Sequence, residues 1–466
     1  MSVDPKEKPA TQGIERREFI RRTAVGAAAM AIGAVAVTSL GCTSSSGGGS
    51  TASQPVDFAV LSDVHILDDG SLGDSGPAFQ AYIAADRKML AQSEETLDAA
   101  LADIVSRKPA FLLITGDLTK DGEYVDHMVV AGKLSALLAA GIAVYVVPGN
   151  HDINNPDAVS YLNQGASGIP VPSITPAQFQ SIYAPYGYRA ALYTDPNSLS
   201  YIAEPVPGLW LFAIDSCIYG NNIANGTPTT GGQIGSATLA WIQTYLAQAK
   251  TLGKVVIGME HHPIMEHFQG MATVFKDYVL TDYATVGKAL AGAGLKLIFT
   301  GHFHANDVAQ TTYSDGSVLT DCSTGSTVTP PCPYRYVTVN LAAKTFKITT
   351  TTVADIPDYP TAAQWQSYEN TFISTGMVTL AEGMLEAAPY NVDPTDAQSL
   401  AQLFAPAMVA FYAGDPSFAG MPTAYQQAVQ GLLGSGIAQE VQFGQIIMAL
   451  WKPNATLDDN NLTITL

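Results

Sequence analysis

The stretch Val56-Asp-Phe-Ala-Val-Leu-Ser-Asp-Val-His65 sets the fold expected for this chain. Its hydrophobic, β-prone run leads directly into a loop with two side chains that can bind metal. Four later loops repeat this construction, each after its own hydrophobic run. The runs and loops are Phe111–Ile114 with Gly116-Asp117, Ile142–Val147 with Gly149-Asn-His-Asp152, Lys254–Ile257 with His261, and Leu295–Phe299 with Gly301-His-Phe-His304. Because open sheets place ligand sites just beyond the carboxyl ends of their strands, we expect all five loops to meet at one edge.

The side chains in these loops predict a site for two metal ions. Imidazole nitrogens together with carboxylate oxygens suit Fe, Mn, Zn or Ni, and the absence of cysteine from the motifs argues against a thiolate zinc site. Seven candidate ligands exceed the needs of one tetrahedral ion. They suit two ions about 3.5–4 Å apart that share a carboxylate. Six of the eight histidines fall in these motifs, which makes an accidental clustering improbable.

The motifs D-x-H, G-D, G-N-H-D, H-x-P and G-H-x-H, in this order, resemble those of the calcineurin-like metallophosphoesterase family over roughly residues 56–350. The resemblance implies two bound metal ions, whose identity among Fe, Mn and Zn the sequence leaves open. By the same resemblance, Asp117 bridges the two ions, and the ligand in His261-His262-Pro263 is the histidine two before the proline. The remaining implied ligands are Asp63, His65 and His304 for the first metal, and Asn150, His261 and His302 for the second.

The same resemblance implies a catalytic role for His151, because the family's histidine at this position faces the substrate phosphate without binding metal. A leaving alkoxide needs protonation or electrostatic stabilisation, and a histidine can supply either. We expect Asp152 to orient His151. His262 is assigned either to the layer behind the ligands or to substrate contact, and both remain open. His127 is expected to be structural, and His267 is a weaker candidate for substrate contact.

The rest of residues 56–352 alternates short apolar strands with amphipathic helices. Together with the resemblance, this alternation predicts a four-layer α/β/β/α sandwich of two mixed sheets. The predicted helices are Ser93–Ser106, Asp126–Ala140 and Leu239–Thr251, and the predicted hairpin pairs Tyr334–Asn340 with Thr345–Thr351. A long segment, residues 66–92, follows the first two ligands, and long loops in such places are commonly functional. We expect it to wall the pocket, with Tyr82 and Arg87 as substrate contacts.

Residues 353–466 differ in composition from the preceding part. Prolines punctuate Ala- and Gln-rich segments such as Thr361–Ile373 and Gln398–Ala413, which predicts a mainly helical C-terminal domain or cap. The segment contains no histidine. Two roles stay open for it: packing against the sheets, or a functional part in oligomerisation or pocket closure.

Residues 1–41 are typical of an export signal of the twin-arginine type. Arg16-Arg17-x-Phe-Ile precedes the Ala-rich stretch Thr23–Leu40. Cys42 and the polar linker over residues 42–55 resemble a bacterial lipoprotein start, with Cys42 lipidated. Simple cleavage and an uncleaved anchor are the alternatives. We therefore expect export from a bacterial cytoplasm to the periplasm or cell surface, with a lipid anchor as the one membrane contact.

Charge and cysteine content limit the partners. The chain has 41 acidic and 22 basic residues, a net charge of −19, which opposes binding to nucleic acid and favours a small substrate. Cys322 and Cys332 flank a short segment that a disulfide would close outside the cytoplasm, with two reduced thiols as the alternative. Nothing in the sequence indicates an oligomeric state.

The predicted function is hydrolysis of a small phosphodiester by metal-activated hydroxide. The stretches Thr115–Glu123 and Val147–Asp152 resemble the branch of cyclic-nucleotide and glycerophosphodiester phosphodiesterases. Purple acid phosphatases carry a ligating tyrosine where this chain has Lys120, and the arginine of the protein Ser/Thr phosphatase motif G-D-x-x-D-R-G is missing. The alternatives are a phosphomonoesterase or nucleotidase, or a lipid-anchored binding protein without turnover. Retention of every ligand argues against the last of these.

Overall fold

The computed structural model describes residues 55–73, 76–162, 168–387, 390–414, 416–451 and 457–466. The predicted export signal, the lipidation site Cys42 and nearly all of the predicted linker lie outside these residues, so they stay predictions. The proposed division of the chain into domains stays a prediction as well. Among the residues that are described, no helix is both long and apolar enough to cross a membrane.

Fifteen β-strands are present in the described part of the chain. In chain order they are β1 Val56–Leu61, β2 Phe111–Ile114, β3 Ala143–Val146, β4 Val159–Ser160, β5 Ile169–Pro170, β6 Tyr193–Thr194, β7 Tyr201–Val206, β8 Leu209–Ala213, β9 Val255–Met259, β10 Leu297–Thr300, β11 Asp307–Thr312, β12 Val318–Ser323, β13 Pro333–Asn340, β14 Thr345–Thr352 and β15 Asn461–Thr465. The five strands that precede the motif loops are β1, β2, β3, β9 and β10, as the sequence predicts.

The helices lie between these strands and in the C-terminal segment. The α-helices are Asp69–Leu72, Pro77–Ala85, Ser93–Arg107, Tyr124–Ala139, Pro176–Ile182, Asn222–Asn225, Ser236–Thr251, Met271–Val274, Tyr283–Ala293, Ala362–Glu386, Pro394–Tyr412, Thr423–Leu433 and Ala438–Leu450. Short 3-10 helices cover Leu90–Gln92, Tyr188–Ala190, Lys276–Tyr278 and Phe418–Gly420. All three predicted helices of the first part are confirmed, with ends shifted by at most three residues.

The strands form two large mixed sheets. The first has the order β15-β14-β13-β1-β2-β3 and the second the order β11-β12-β10-β9-β8-β7-β6. The motif-bearing strands are parallel neighbours within each sheet, with β3 at the edge of the first: β1 pairs with β2 and β2 with β3 in the first sheet, and β9 pairs with β10 in the second. Parallel neighbours bring their carboxyl ends to the same edge, which places the five motif loops together.

The two sheets pack face to face, because alternate residues of their strands are apolar on the shared side. Phe58 of β1 stacks on Phe111 of β2 at 4.6 Å and meets Phe299 of β10 edge-on at 5.7 Å. The outer face of the first sheet packs against Ser93–Arg107 and Tyr124–Ala139, and that of the second against Ser236–Thr251 and Tyr283–Ala293. This confirms the predicted α/β/β/α sandwich.

The C-terminal segment is helical, as predicted, and packs on residues close to the motif loops. Its helices share an apolar cluster with Phe268, Met271 and Phe303. The chain then returns to the first sheet as β15, which pairs antiparallel with β14. The sequence analysis did not predict this last strand.

The predicted disulfide is wrong in this structure, because Cys322 and Cys332 are both free. Cys322 lies on β12 and packs in the core between the two sheets. Cys332 packs instead on the outer side of the first sheet, in the cluster that contains Trp365. The two thiols therefore lie in different cores, which nearness in sequence cannot reveal.

Candidate metal centre

Hydrogen bonds donated by backbone amides join the five motif loops to one another beyond the strand ends. The amide of Asp63 donates to the carbonyl of Gly116 at 3.1 Å, and the amide of His65 donates to the carbonyl of Asp117 at 3.0 Å. Across the two sheets, the amide of His302 donates to the Asp63 carboxylate at 3.0 Å. The loops thus form one connected structure whose side chains face a shared space.

Five of the seven predicted ligands have positive φ, a region that non-glycine residues seldom occupy. The values are 51° for Asp63, 41° for His65, 48° for Asp117, 68° for His302 and 62° for His304. Such strain persists only where the surroundings impose it, and it gathers at functional sites. Close packing of the loops also explains two motif glycines: a Cβ at Gly149 would overlap Asp117, and one at Gly301 would overlap Ser62.

Asp63, His65 and His304 form the first donor group. The Nε2 atoms of His65 and His304 are 3.2 Å apart, and Asp63 Oδ1 lies 3.4 Å from His304 Nε2 and 3.9 Å from His65 Nε2. These atoms all lie within the distance at which a single cation can contact them. Asp63 and His65 are fully buried, so their donor atoms face one another rather than solvent.

The second donor group is built around His261. Its Nε2 lies 3.0 Å from Asn150 Oδ1, and its ring centroid is 4.7 Å from that of His302. Asp117 stands between the two groups, because its Oδ2 is 3.5 Å from His65 Nε2 and 3.3 Å from His261 Nε2. Its other oxygen, Oδ1, accepts a hydrogen bond from the His151 amide at 2.9 Å. The structure therefore brings all seven predicted ligands together.

The remaining nitrogen of three of these histidines is held by the protein. The His261 Nδ1–H donates to the Thr115 carbonyl at 2.9 Å, and the His302 Nε2–H donates to the Asp277 carbonyl at 3.0 Å. His304 Nδ1 is 2.7 Å from Thr329 Oγ1. Such outer partners fix the ring and leave the opposite nitrogen free for a metal ion. Because the rings are held in this way, the set of donor atoms is suited to bind metal ions.

Burial and neighbouring charges set the ionisation of these groups. Burial holds the pKa of His65 and of His302 well below the ordinary 6.5, so both rings are neutral, as ligands must be. Burial acts against ionisation of Asp117, but His261 and His151 outweigh it and hold the Asp117 pKa well below its usual range. Burial likewise opposes protonation of His261, yet Asp117 raises its pKa to about 9. A cation bound here would displace that proton.

His151 lies beside the donor groups, with its ring 4.9 Å from that of His65. The expected orientation of His151 by Asp152 is wrong. The Asp152 carboxylate accepts hydrogen bonds from the amides of Leu118, Thr119 and Gly149, and so ties the second motif loop to the third. His151 Nδ1 is held by Asp121 instead, at 2.8 Å from its Oδ1.

Asp121 is thus a site residue that the sequence analysis missed. Lys120 Nζ lies 2.5 Å from Asp121 Oδ2 and 2.7 Å from Glu123 Oε1, and the Lys120 side chain is fully buried. Asn155 Nδ2 donates to Asp121 Oδ1 at 3.3 Å. The sequence signal that could have identified Asp121 is a carboxylate four residues after Asp117 on the same loop. That spacing brings it back toward the G-N-H-D loop.

A cavity of about 220 Å³ opens onto the donor groups. Asp117, Asn150, His151, His302 and His304 form its floor, and the 86–88 turn forms one side. Residues not predicted from sequence complete it: Lys88, Thr230, Tyr278, Phe303, Thr329 and Tyr412.

Of the described residues in the predicted wall, residues 66–92, Asp86, Arg87 and Lys88 line the cavity, and a substrate contact of Arg87 stays a prediction. Tyr82 lies outside the lining, where its ring packs against Tyr161 at 5.6 Å and over Lys120. The expected substrate contact of Tyr82 is therefore not supported by its position.

The three other histidines have partners within the protein. His262 lies 4.4 Å from His302 between ring centroids, but Ser216 Oγ at 2.8 Å and the Thr230 carbonyl at 3.0 Å engage its two nitrogens. This position favours the layer behind the ligands over substrate contact. His127, as expected, is structural and contacts Tyr183 Oη and the Asp152 carbonyl. His267 is buried against Asp307, away from the cavity lining.

Two mixed sheets with a His–Asp donor set at the carboxyl ends of their strands define an α/β protein with a site that could hold metal ions. The family model for calcineurin-like phosphoesterases matches residues 56–306, more than half of the chain, and the chain belongs to this family.

Comparison with solved structures finds weaker likenesses. A dimetal phosphatase from Danio rerio matches with 14% identity and a TM-score of 0.45, over 64% of this chain and 97% of that one. The sulfate thiohydrolase SoxB from Thermus thermophilus, in complex with glycerol, matches with 11% identity and a TM-score of 0.32, over 69% of this chain and 60% of that one. A search of curated proteins found no match.

Proposed function

We propose that this chain hydrolyses a small phosphodiester at a pair of metal ions. The ligands in this proposal are Asp63, His65 and His304 for one ion, Asn150, His261 and His302 for the other, and Asp117 between them. The observation that carries the proposal is the position of Asp117 Oδ2, 3.5 Å from His65 and 3.3 Å from His261. A carboxylate placed between two histidine-containing donor groups is the arrangement that two ions sharing a ligand require.

Two metal ions in such a site supply a water nucleophile of lowered pKa and positive charge for the phosphoryl oxygens. The chain's own contribution to the departing oxygen is His151. Burial and Lys88 oppose its protonation, but Asp117 and the hydrogen bond to Asp121 raise its pKa above the ordinary value. A protonated His151 at the cavity floor is suited to donate a hydrogen bond or a proton to the leaving oxygen.

The phosphodiester preference rests on the second motif loop, Thr115–Glu123, which resembles the cyclic-nucleotide and glycerophosphodiester branch. The position of Lys120 supports assignment to this branch rather than to the purple acid phosphatases. Its side chain is buried in an ion pair with Asp121 and Glu123, where the other branch would present a ligating tyrosine. A net charge of −19 also favours a substrate small enough to avoid long-range repulsion.

A rate comparison on metal-reconstituted protein tests this function. Mature protein is loaded with Mn²⁺, Fe²⁺ or Zn²⁺ in turn, and bis(4-nitrophenyl) phosphate is compared with 4-nitrophenyl phosphate at equal concentration. We expect a higher kcat/KM for the diester and two metal ions bound per chain. A higher kcat/KM for the monoester would favour the phosphomonoesterase, and no turnover with two bound ions would favour a binding protein.

We further propose that the enzyme acts outside the cytoplasm as a lipid-anchored protein. The proposal rests on the twin-arginine pattern and on Cys42, which the sequence alone provides. Fractionation of bacteria that express the chain and its Cys42→Ser variant tests it. We expect the unchanged chain in the membrane fraction and the Cys42→Ser variant in the soluble fraction. An equal distribution of the two proteins would contradict the lipid anchor.

A further inference from the structure

The 86–88 turn places two cationic side chains on one side of the cavity, and of these two Lys88 is the one that forms a close ion pair with Asp86. The Asp86 carboxylate accepts hydrogen bonds from the amides of Arg87 and Lys88, at 2.6 and 3.0 Å, and so fixes the turn. Its Oδ2 also lies 3.6 Å from Lys88 Nζ. The amide of the next residue, Met89, donates to the Val328 carbonyl at 2.8 Å, beside the loop that orients His304.

The guanidinium group of Arg87 feels the charge of Asp86, but among the described residues it makes no ion pair within 4 Å and no hydrogen bond, and its side chain lines the cavity. This matters because acidic residues outnumber basic ones by 41 to 22 in this chain. A guanidinium presents five donors in a planar fork that matches a carboxylate or phosphate group. An unpaired guanidinium on the wall of a cavity is therefore available to an anionic ligand.

Two tyrosines face the same cavity from other elements. Tyr278 stacks on His302, with ring centroids 4.8 Å apart and planes 26° apart. Tyr412 ends the helix Pro394–Tyr412, where its carbonyl accepts from the Asn306 amide at 3.1 Å and its ring meets Phe303 at 5.9 Å. Neither hydroxyl group makes a hydrogen bond to the described part of the chain. Burial raises the pKa of Tyr412, and the nearby charge of Arg87 acts against that rise.

The helix Ala362–Glu386 supports the stem of Arg87. A Cβ added at Gly376 would lie 3.3 Å from Arg87 Cγ, so the glycine lets the arginine stem pack closely on the helix. The C-terminal segment thus touches this side of the cavity twice, through Gly376 and through Tyr412. Of the roles that the sequence left open, namely packing, oligomerisation and pocket closure, this contact favours a part in pocket closure.

We propose that Arg87, with the hydroxyl groups of Tyr278 and Tyr412, binds a second anionic group of the substrate, carried on an ester substituent of the phosphate held at the metal centre. The inference rests on the proposed function and names its substrate class: small phosphate esters with an additional carboxylate or phosphate. The metal centre accommodates one phosphoryl group, whereas the guanidinium and the two hydroxyls match a further oxyanion.

Three phosphodiesters with the same leaving group test the proposal. They are the 4-nitrophenyl diesters of phenol, of 4-hydroxybenzoate and of 4-hydroxyphenyl phosphate, assayed by nitrophenolate release on Mn²⁺-loaded protein. A charge-assisted hydrogen bond contributes about 1.5–3 kcal/mol, so the wild type should prefer an anionic diester by about 10-fold or more in kcat/KM. Comparing the rates for the carboxylate-bearing and the phosphate-bearing diester shows which oxyanion is preferred. In Arg87→Gln this ratio should fall to near one, and Arg87→Lys should restore only part of it.

Two glycine variants on the helix Ala362–Glu386 test the position of Arg87 without substituting any residue of the cavity lining. Gly376→Ala displaces the Arg87 stem and should lower the anionic-to-neutral ratio. Gly383→Ala is the matched control on the same helix, because a Cβ there meets no atom within 4 Å, and it should leave every rate unchanged. Equal ratios in wild type and Arg87→Gln would overturn the proposal.

Calorimetry keeps this test separate from that of the proposed function. Metal-loaded protein is titrated with phenylphosphonate and with 4-carboxyphenylphosphonate, neither of which can be hydrolysed. Tighter binding of the carboxylated ligand, lost in Arg87→Gln, supports the anion subsite even if no ester is turned over. Equal affinities in the wild type would overturn it even if the phosphodiesterase activity is found.

Discussion

Two buried clusters of histidine and aspartate in this molecule differ in how their polar atoms are paired. In the first, His267 Nδ1 lies 2.6 Å from Asp307 Oδ2, and its Nε2 lies 3.3 Å from Asp321 Oδ2. Each nitrogen faces a carboxylate oxygen, so a protonated ring offsets part of the negative charge of its two acidic partners. In the metal centre, the Nε2 atoms of His65 and His304 face each other at 3.2 Å, beside Asp63 and Asp117.

The difference shows that residue type and burial do not by themselves distinguish a metal site from a structural ion pair. Both clusters are almost fully buried, and both join the ends of strands or nearby loops. Only the metal centre directs several donor atoms toward one another and lines the cavity. Buried donor atoms arranged in this way are stabilised most by a shared cation. The His267 cluster already contains a cation, the protonated His267 ring.

The largest expected effect tests the metal centre. Asp117→Asn keeps the shape of the side chain but removes the charge between the two donor groups. Because metal ions stabilise the transition state by several kcal/mol, we expect kcat/KM for a phosphate ester to fall by about 10⁴-fold or more, with loss of bound metal. Mass spectrometry of metal content and a rate assay measure both effects. Asp315→Asn, in an exposed hairpin turn, is the control and should change neither.

In the His267 cluster we expect a substitution to lower stability and to leave the metal content unchanged. His267→Gln removes the cation from beside Asp307 and Asp321, and breaking a buried ion pair in this way destabilises a protein by about 3–5 kcal/mol. Denaturant unfolding of the metal-loaded protein should show this loss of stability, while the metal content of the folded protein stays at the wild-type value. A loss of metal without a loss of stability would show that His267 belongs to the metal centre.

The fold was predictable from the sequence where the pattern is local. β1, β2 and the hairpin of β13 and β14 follow from alternating or continuous apolar runs, and the order of the motifs gave the edge at which the loops meet. β15 was not predicted, because Asn461–Thr465 is short and pairs with a strand more than one hundred residues earlier. The predicted disulfide between Cys322 and Cys332 was wrong although the two residues are close in sequence. Closeness in sequence gives no information about which side of a sheet each side chain faces.

The site was predictable only for residues inside recognisable motifs. All seven predicted ligands converge, because each follows a strand whose position the pattern defines. Asp121 took the role expected of Asp152, since the Asp152 carboxylate is occupied by backbone amides of the second and third motif loops, whereas Asp121 reaches the His151 imidazole. Tyr278 and Tyr412 come from segments without any motif, and only tertiary packing brings them to the cavity.

A smaller effect separates His151 from the ligands. His151→Ala should lower kcat by about 10²-fold, the usual contribution of a general acid, while both metal ions remain bound. Asp121→Asn should act in the same direction but less, since it alters only the orientation and charge of the ring. Metal analysis of both variants accompanies the rate assay. Loss of an ion in His151→Ala would make His151 a ligand.

The smallest effect is the pH dependence of stability that the His267 cluster confers. Burial opposes protonation of His267, but Asp321 and Asp307 raise its pKa from 6.5 to about 10. A raised folded-state pKa gives stability that is complete below pH 6.5 and is lost as pH rises toward 10. Between pH 7 and 9 this contribution should fall by about 1.4 kcal/mol per pH unit.

Other buried groups titrate nearby, so the measured quantity is the difference in unfolding free energy between wild type and His267→Gln. This difference should shrink steadily from pH 7 to pH 9 as the wild type loses the contribution of its buried cation. A difference that is constant with pH would mean that His267 is neutral in the folded protein. Its contact with Asp307 would then be an ordinary hydrogen bond, and the contrast between the two clusters would disappear.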